Sequence, residues 1–328
     1  MRSPNKFKVF LKRSILIPAL YTFFTHPFAP RLRRLPAAAP QVPKSPAKVS
    51  VVVPNYNYKR YLKRRLLSIL RQTYPVFELI ILDDASTDGS QSYLEKLLPK
   101  LRAQFPGTSI KFLPSAQNSG KSINQWQKAF SLASGDFLWL AEADDLSAPT
   151  FLATAMQKFK HPEVVMSFAN SVAINRFGSV LTHDFQTRSV DKQRSGHFTK
   201  DFVADGREEI LRFFAVNCEI PNVSSVIFRL GQKIPFDKYL SEAKKFRQVG
   251  DWYFYLQVLR HGQLAYSAAA LNFFRLHGSS ATAQSQKSAK LLGEVKFIHR
   301  LLAEEYPLPE ATLAAIDQEE QRLASVLK

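Results

Sequence analysis

The chain has 328 residues, 45% of them hydrophobic and 12% aromatic, enough to fill one large core or two small ones, which excludes a disordered or fibrous class. Its formal charge is +18, but residues 1–48 hold ten Lys/Arg and no Asp/Glu, so the remainder carries only +8. A single cysteine, Cys218, excludes an intramolecular disulfide and a Cys-based metal cluster, and suits a reducing cytosol.

Residues 9–28 mix apolar side chains with Lys12, Arg13, Pro18 and Pro27. The longest stretch free of Asp, Glu, Lys and Arg, 14–30, carries three prolines and falls short of the roughly 20 apolar residues that span a bilayer. No small-residue cleavage site follows it cleanly, which argues against a signal peptide. Two readings stay open. One is a basic, aromatic segment lying on an anionic membrane surface, helped by Arg31, Arg33 and Arg34; the other is a solvated arm. PAAAPQVPKSP at 36–46 reads as a stiff linker, so the folded part is expected to begin near Lys48.

From Val49 strand and helix signals alternate. A Val-rich run at 49–53 stops at Pro54, and Asn57 is placed to cap a helix through Gln72 with Leu62, Leu66, Ile69 and Leu70 inward. A second buried strand, 79–82, ends in Asp83 and Asp84, and the turn residues Ser86 to Gly89 lead into a helix through about Leu98. Residues 110–113 predict a third strand and 122–133 a helix. Then comes GDFLWLAEADDL at 135–146: five apolar residues without a polar break, followed by Glu142, Asp144 and Asp145. Such a run reads as a strand buried on both faces or a piece of buried helix. Three clustered carboxylates repel one another, so they either lie in open water or share a cation; the cation is the preferred reading.

This βαβαβ pattern predicts an α/β fold with a Rossmann-like, mostly parallel central sheet, helices on both faces and helices at the C-terminus. Ligands in that architecture bind beyond the carboxyl ends of the strands. Asn55 and Tyr56, Asp83 and Asp84, and the acids at 142–145 all follow strand ends and should converge there. Neither G-x-G-x-x-G nor G-x-x-x-x-G-K-[ST] is present; the NSGKS at 118–122 lacks the first glycine of the phosphate loop, so Gly120 reads as a loop glycine and Lys121 as a minor candidate for a phosphate contact. Without a backbone cradle, a diphosphate would need a metal and carboxylates.

PNYNYKRYLKRRLLSILRQTY at 54–74, ELIILDDASTDGS at 78–90, NSGKSINQWQKAFSLASGDFLWLAEADD at 118–145 and GDWYFYLQVLRHG at 250–262 together resemble the family 2 glycosyltransferases of the GT-A fold, in the family's order, over residues 48–282. The resemblance implies an inverting transfer of a sugar from a nucleotide-diphosphate donor to a hydroxyl of a glycan or lipid-linked acceptor, assisted by Mg²⁺ or Mn²⁺. By the same resemblance Tyr56, with Pro54 beside it, stacks on the donor's base; Asp84 reads the base edge, while Asp83 only braces the turn. Asp144 faces the ribose and Asp145 the metal. Glu142 departs from the aspartate often found there, leaving its contact open. Asp251 matches the general base, although Gly250 replaces the Glu of the common Glu-Asp pair; it is also placed to cap a helix over 252–261. FRLHGSS at 274–280 resembles the loop over the diphosphate, where Arg275 and His277 would supply positive charge to the leaving group.

Residues 150–159 and 207–215 predict helices, and 164–173, 180–181 and 224–228 strands; 182–206, polar and poorly patterned, suits an acceptor loop. Leu291, Val295, Ile298 and Leu302, then Leu313, Ile316, Leu323 and Val326, keep helical spacing. The expected organisation is a basic arm with linker at 1–47, a catalytic domain at 48–282 and a helical extension at 283–328. The expected setting is polysaccharide biosynthesis for the cell envelope, at the inner, cytoplasmic face of a membrane touched by the arm. A noncatalytic sugar-nucleotide or membrane-binding protein of the same fold is the alternative. Nucleic acid is not an expected partner, because the basic leader lacks regular aromatic interleaving and the sheet edge is acidic.

Overall fold

Residues 42–182, 196–277 and 289–326 are described by a computed structural model. The predicted arm with Arg31, Arg33 and Arg34, residues 183–195 of the predicted acceptor loop and the last residues of the FRLHGSS stretch lie outside them.

The N-terminal half alternates β1 (Val49–Asn55), α1 (Lys59–Leu70), β2 (Glu78–Asp83), α2 (Ser90–Gln104), β3 (Ser109–Pro114), α3 (Ser122–Leu132) and β4 (Phe137–Leu140). These strands pair in parallel in the order β3-β2-β1-β4. Their apolar side chains alternate between two cores. Val52, Ile80 and Leu138 face one, while Val51, Leu79 and Trp139 face the other, where Leu62, Leu66 and Ile69 of α1 cover them.

Beyond the acids come β5 (Leu146–Ser147), α4 (Phe151–Lys158), β6 (Val164–Ile174), β7 (Val180–Thr182), β8 (Phe202–Asp205), α5 (Gly206–Glu209) with a π-turn at Ile210–Phe214, and β9 (Val226–Arg229). α6 (Phe236–Ala243), α7 (Gly250–Leu259) and β10 (Gln263–Arg275) follow. The sheet continues β4-β9-β6-β10-β5 and is mixed there: β9 is antiparallel to both neighbours, and β6 with β10 forms one more parallel pair. Gly206 admits no side chain, since a Cβ would sit 2.0 Å from the carbonyl oxygen of Leu259.

Several local expectations are corrected. β1 runs through Pro54 to Asn55 because its pairing with β4 ends at Val52, so the missing proline N–H falls where no partner strand needs it. α2 passes through Pro99 to Gln104, held by buried Leu101 and by Arg102, whose guanidinium donates to the carbonyl of Ile110. Asn57 does not cap α1. It adopts φ 61°, and its Oδ1 accepts from the backbone of Thr87 and Asp88, while Asp88 accepts from the Lys59 amide across the loop.

The tail forms α8 (Ala289–Glu305) and α9 (Glu310–Val326). Val295, Ile298 and Leu302 enter the same core as Trp252, whereas Leu313, expected on the apolar stripe of α9, is exposed. The carboxylate of Glu294 in α8 accepts from the amides of Arg247, Gln248 and Val249, the three residues leading into α7. Among the described residues no helix is long and apolar enough to cross a membrane.

Candidate active site

Strand ends bring the chemistry together. β1 delivers Tyr56 and Tyr58, β2 Asp83 and Asp84, β4 the acids, and β10 Arg275 and His277. Glu142, Asp144 and Asp145 offer ligand oxygens that all lie within 4.8 Å of one another. The three differ in what already holds them. Asp145 is buried; its Oδ1 accepts from the Arg275 amide at 2.8 Å and its Oδ2 from Asn222 Nδ2. Asp144 Oδ2 pairs with His277 Nε2 at 2.8 Å. Nothing among the described residues donates to the Glu142 carboxylate, which is the open position of the cluster.

Burial and like charge act in one direction here. Burial first, then the charges of Asp144, Asp145 and Asp251, push the Glu142 carboxyl up to about 8. Burial and Asp144 push Asp145 up to about 7. Three carboxylates whose oxygens lie within 4.8 Å of one another, one of them free of protein donors, have the oxygen-only donor set of a hard divalent cation, so the residues fit such an ion.

Arg65 answers the acids from behind. It is fully buried on α1, its Nη1 donates to Ser147 Oγ at 2.9 Å, and its guanidinium lies 5.2 Å over the Trp139 ring, with Nε and Nη2 unpartnered. Burial lowers its pKa to about 10 against the raising field of Asp145, Asp144 and Glu142, so it stays charged at neutral pH. The sequence reading missed it, although an arginine at 65 in the inward stripe of Leu62, Leu66 and Ile69 is the signal of a buried cation. Tyr58 was missed as well: burial, then the field of Asp144, raises its phenol, and its ring meets His277 edge-on at 5.6 Å.

The remaining candidates fall into three groups. Tyr56 is 46% exposed beyond β1, with Pro54 half-buried behind it, as a stacking surface requires. Asp83 braces its turn as expected, accepting from Asn55, Ser86 and Gln91. Asp84 is engaged by protein donors: the amide and hydroxyl of Ser119 and Nε2 of Gln125. It thereby pins the 118–121 loop, whose Lys121 reaches the carbonyl of Lys244. Arg275 is turned inward. Its Nε donates to the Asp144 carbonyl and its Nη1 to Asn175, and the guanidinium lies 4.6 Å over Tyr61.

Asp251 sits in the first turn of α7, which begins at Gly250, two residues earlier than expected; Val249 is the cap position. An acid there is favoured by the helix dipole, and its Oδ1 accepts from the Trp252 amide at 2.8 Å. Burial raises its carboxyl, and its charge is among those that raise Glu142.

The model of glycosyl transferase family 2 matches residues 50–215. An uncharacterized glycosyltransferase of Nostoc sp. is 34% identical over 118 residues, 36% of this chain and 34% of that protein. The chain thus spans about a third of that relative's length. The structure resembles Staphylococcus aureus TarS in complex with UDP-GlcNAc, with TM-score 0.55 and 19% identity over 85% of this chain and 71% of that one. It also resembles the mannosyltransferase PcManGT of Pyrobaculum calidifontis in complex with GDP-Man and Mn²⁺, with TM-score 0.52 and 18% identity over 90% and 76%. Those likenesses establish the fold, and the matched half of the sequence identifies the chain as a member of glycosyltransferase family 2.

Proposed function

We propose that the chain transfers a sugar, with inversion, from a nucleotide-diphosphate sugar to a hydroxyl of a glycan or lipid-linked acceptor, in building envelope polysaccharide at the cytoplasmic face of a membrane. The observation that carries this reading is the trio Glu142, Asp144 and Asp145, whose ligand oxygens lie within 4.8 Å of one another at the ends of the strands. The UDP-GlcNAc and GDP-Man with Mn²⁺ held by the two structural relatives support the donor class and the cation. TarS is a poly(ribitol-phosphate) β-N-acetylglucosaminyltransferase, which supports the envelope setting.

In this reading the donor's base stacks on Tyr56 beside Pro54, with Asp84 at its edge, and Asp144 meets the ribose. Asp145 and Glu142 would hold Mg²⁺ or Mn²⁺, which would supply a Lewis acid for the charge left on the diphosphate. Arg275 and His277 fix the two aspartates and add positive field near the leaving group. Asp251 takes the proton of the acceptor hydroxyl as that oxygen attacks the anomeric carbon from the side opposite the diphosphate, which inverts the centre. Its burial favours proton uptake, as the role of a base demands.

The test is metal-dependent transfer or hydrolysis of nucleotide sugars by the full chain, with donor binding measured in parallel. Asp251→Asn is expected to lose turnover and keep donor binding. Turnover retained in that variant removes Asp251 as base; donor binding without turnover in the unaltered chain leaves a binding protein.

A further inference from the structure

We propose that the solvent face of α1, with the tip of the β6–β7 hairpin beside it, is a docking surface for an anionic lipid bilayer. The surface stands on its own observations and holds whether or not the neighbouring site turns over.

α1 contains no acidic residue, and it exposes Lys59, Arg60, Lys63, Arg64 and, just past its end, Arg71. Among the described residues no carboxylate lies within ion-pair distance of any of them. The arrangement works against the helix. Lys59 and Lys63, and Arg60 and Arg64, are like charges at i,i+4, and Arg60 and Lys63 at i,i+3, and each such pair destabilises an isolated helix. Lys59 and Arg60 also sit in the first turn, where the helix dipole disfavours cations. Other exposed helices mix their signs, as α2 does with Glu95 among Lys96 and Lys100. A face that carries this much unrelieved positive charge is complementary to a dense anionic surface.

The hairpin beside it adds an apolar element. Gly178, with φ +96°, turns the chain, and a Cβ there would lie 3.6 Å from Nη1 of Arg64, so α1 and the hairpin tip form one surface. At that tip Phe177 is 62% exposed with the Arg176 guanidinium 4.5 Å over its ring, and Leu181 is 40% exposed on the same hairpin. An aromatic ring flanked by arginines at a protruding turn suits the headgroup boundary, with the ring below and the cations at the phosphates. A soluble polyanion would use the cations and leave Phe177 without a role, which is why the bilayer is favoured. The surface borders the site, because Arg275 bonds to both Asn175 in this hairpin and Asp145.

The experiment is co-sedimentation of the full chain with vesicles of phosphatidylcholine alone or with phosphatidylglycerol, over a salt series. Each Lys or Arg at the surface contributes roughly fivefold in binding, so Arg60→Gln with Lys63→Gln is expected to weaken binding to the phosphatidylglycerol vesicles roughly 10- to 30-fold. Phe177→Ser is expected to weaken it severalfold, while Lys96→Gln with Lys100→Gln on α2 leaves it unchanged. All five substitutions in these three variants fall on exposed residues, and an unaltered near-ultraviolet circular dichroism spectrum confirms the fold. The proposal is overturned by equal weakening from the α2 pair, by indifference to Phe177→Ser with competition by soluble polyphosphate, by binding lost only on changing Arg31, Arg33 and Arg34, or by no vesicle binding at all.

Discussion

Glu142→Gln separates the electrostatics of the acidic cluster from its packing. The side chain takes no donor from the protein among the described residues, so the amide forfeits no hydrogen bond and keeps the shape. It does remove a charge whose oxygens lie within 4.8 Å of those of two other carboxylates. At an effective dielectric constant of about 20, one such pair repels by about 3.5 kcal/mol at that distance. Proton uptake and the buried cation Arg65 relieve much of this, leaving a net gain of about 1–3 kcal/mol for the metal-free variant, or about 2–6 °C in Tm. Mn²⁺ reverses the order. At a hundredfold excess over its Kd it stabilises the unaltered protein by about 2.7 kcal/mol, and the variant, with one oxygen ligand fewer, by much less. Thermal unfolding of both proteins in chelator and in a Mn²⁺ series reads the two effects. A lower Tm for the metal-free variant, or an undiminished Mn²⁺ shift, refutes the reasoning.

Three further outcomes follow from the same geometry. Asp145→Asn is expected to cost about 1–3 kcal/mol in chelator, measured by urea unfolding. It sets an amide N–H against the Arg275 amide or Asn222 Nδ2, and Asn222 is fixed in orientation by Asn272 Nδ2 at 2.8 Å. Arg65→Met is expected to destabilise the metal-free protein by about 3 kcal/mol, and combining it with Glu142→Gln to recover part of that loss, a coupling that a double-mutant cycle reads directly. Glu78, buried at the start of β2, would be raised by burial, yet Lys111, Ser50 and Ser134 donate to it and bring it down to about 2. A carboxyl depressed by folding stabilises at pH above its unfolded value and loses that contribution as pH falls toward the folded one. The deficit of Glu78→Gln is therefore expected to be about 1–3 kcal/mol at pH 7 and to shrink between about pH 4.5 and 2 in a pH series of unfolding free energies.

The parallel half of the sheet was legible because strands buried on both faces must be written in apolar residues, and β1, β2 and β4 are. The acids were legible because they interrupt such runs where no packing reason exists. Strand order beyond β4 was not: β9 inserts antiparallel between β4 and β6 through pairing that no local pattern encodes. The share of work among the acids was also hidden. Only coordinates distinguish Asp145, tied by Asn222 and the Arg275 amide, from the open Glu142, whose contact the sequence left unassigned. Arg275 and His277 were expected over a diphosphate; their hydrogen bonds run inward, to Asp144 and Asn175, since a buried guanidinium must satisfy itself on carbonyls. Arg65 was written plainly in a helical stripe and overlooked as one basic residue among many.

Glu294 of α8 (Ala289–Glu305) accepts from three successive amides just ahead of α7, and the family match ends at residue 215. The arm that presents Asp251, and the strut that steadies it, thus both lie outside the half of the chain its relatives share most recognisably. On the proposed assignment of Asp251 as the base, tails exchanged between members of this family would not be neutral replacements: the first half could be inherited intact while that acid lost its footing, and turnover would fall with no change in nucleotide-sugar affinity.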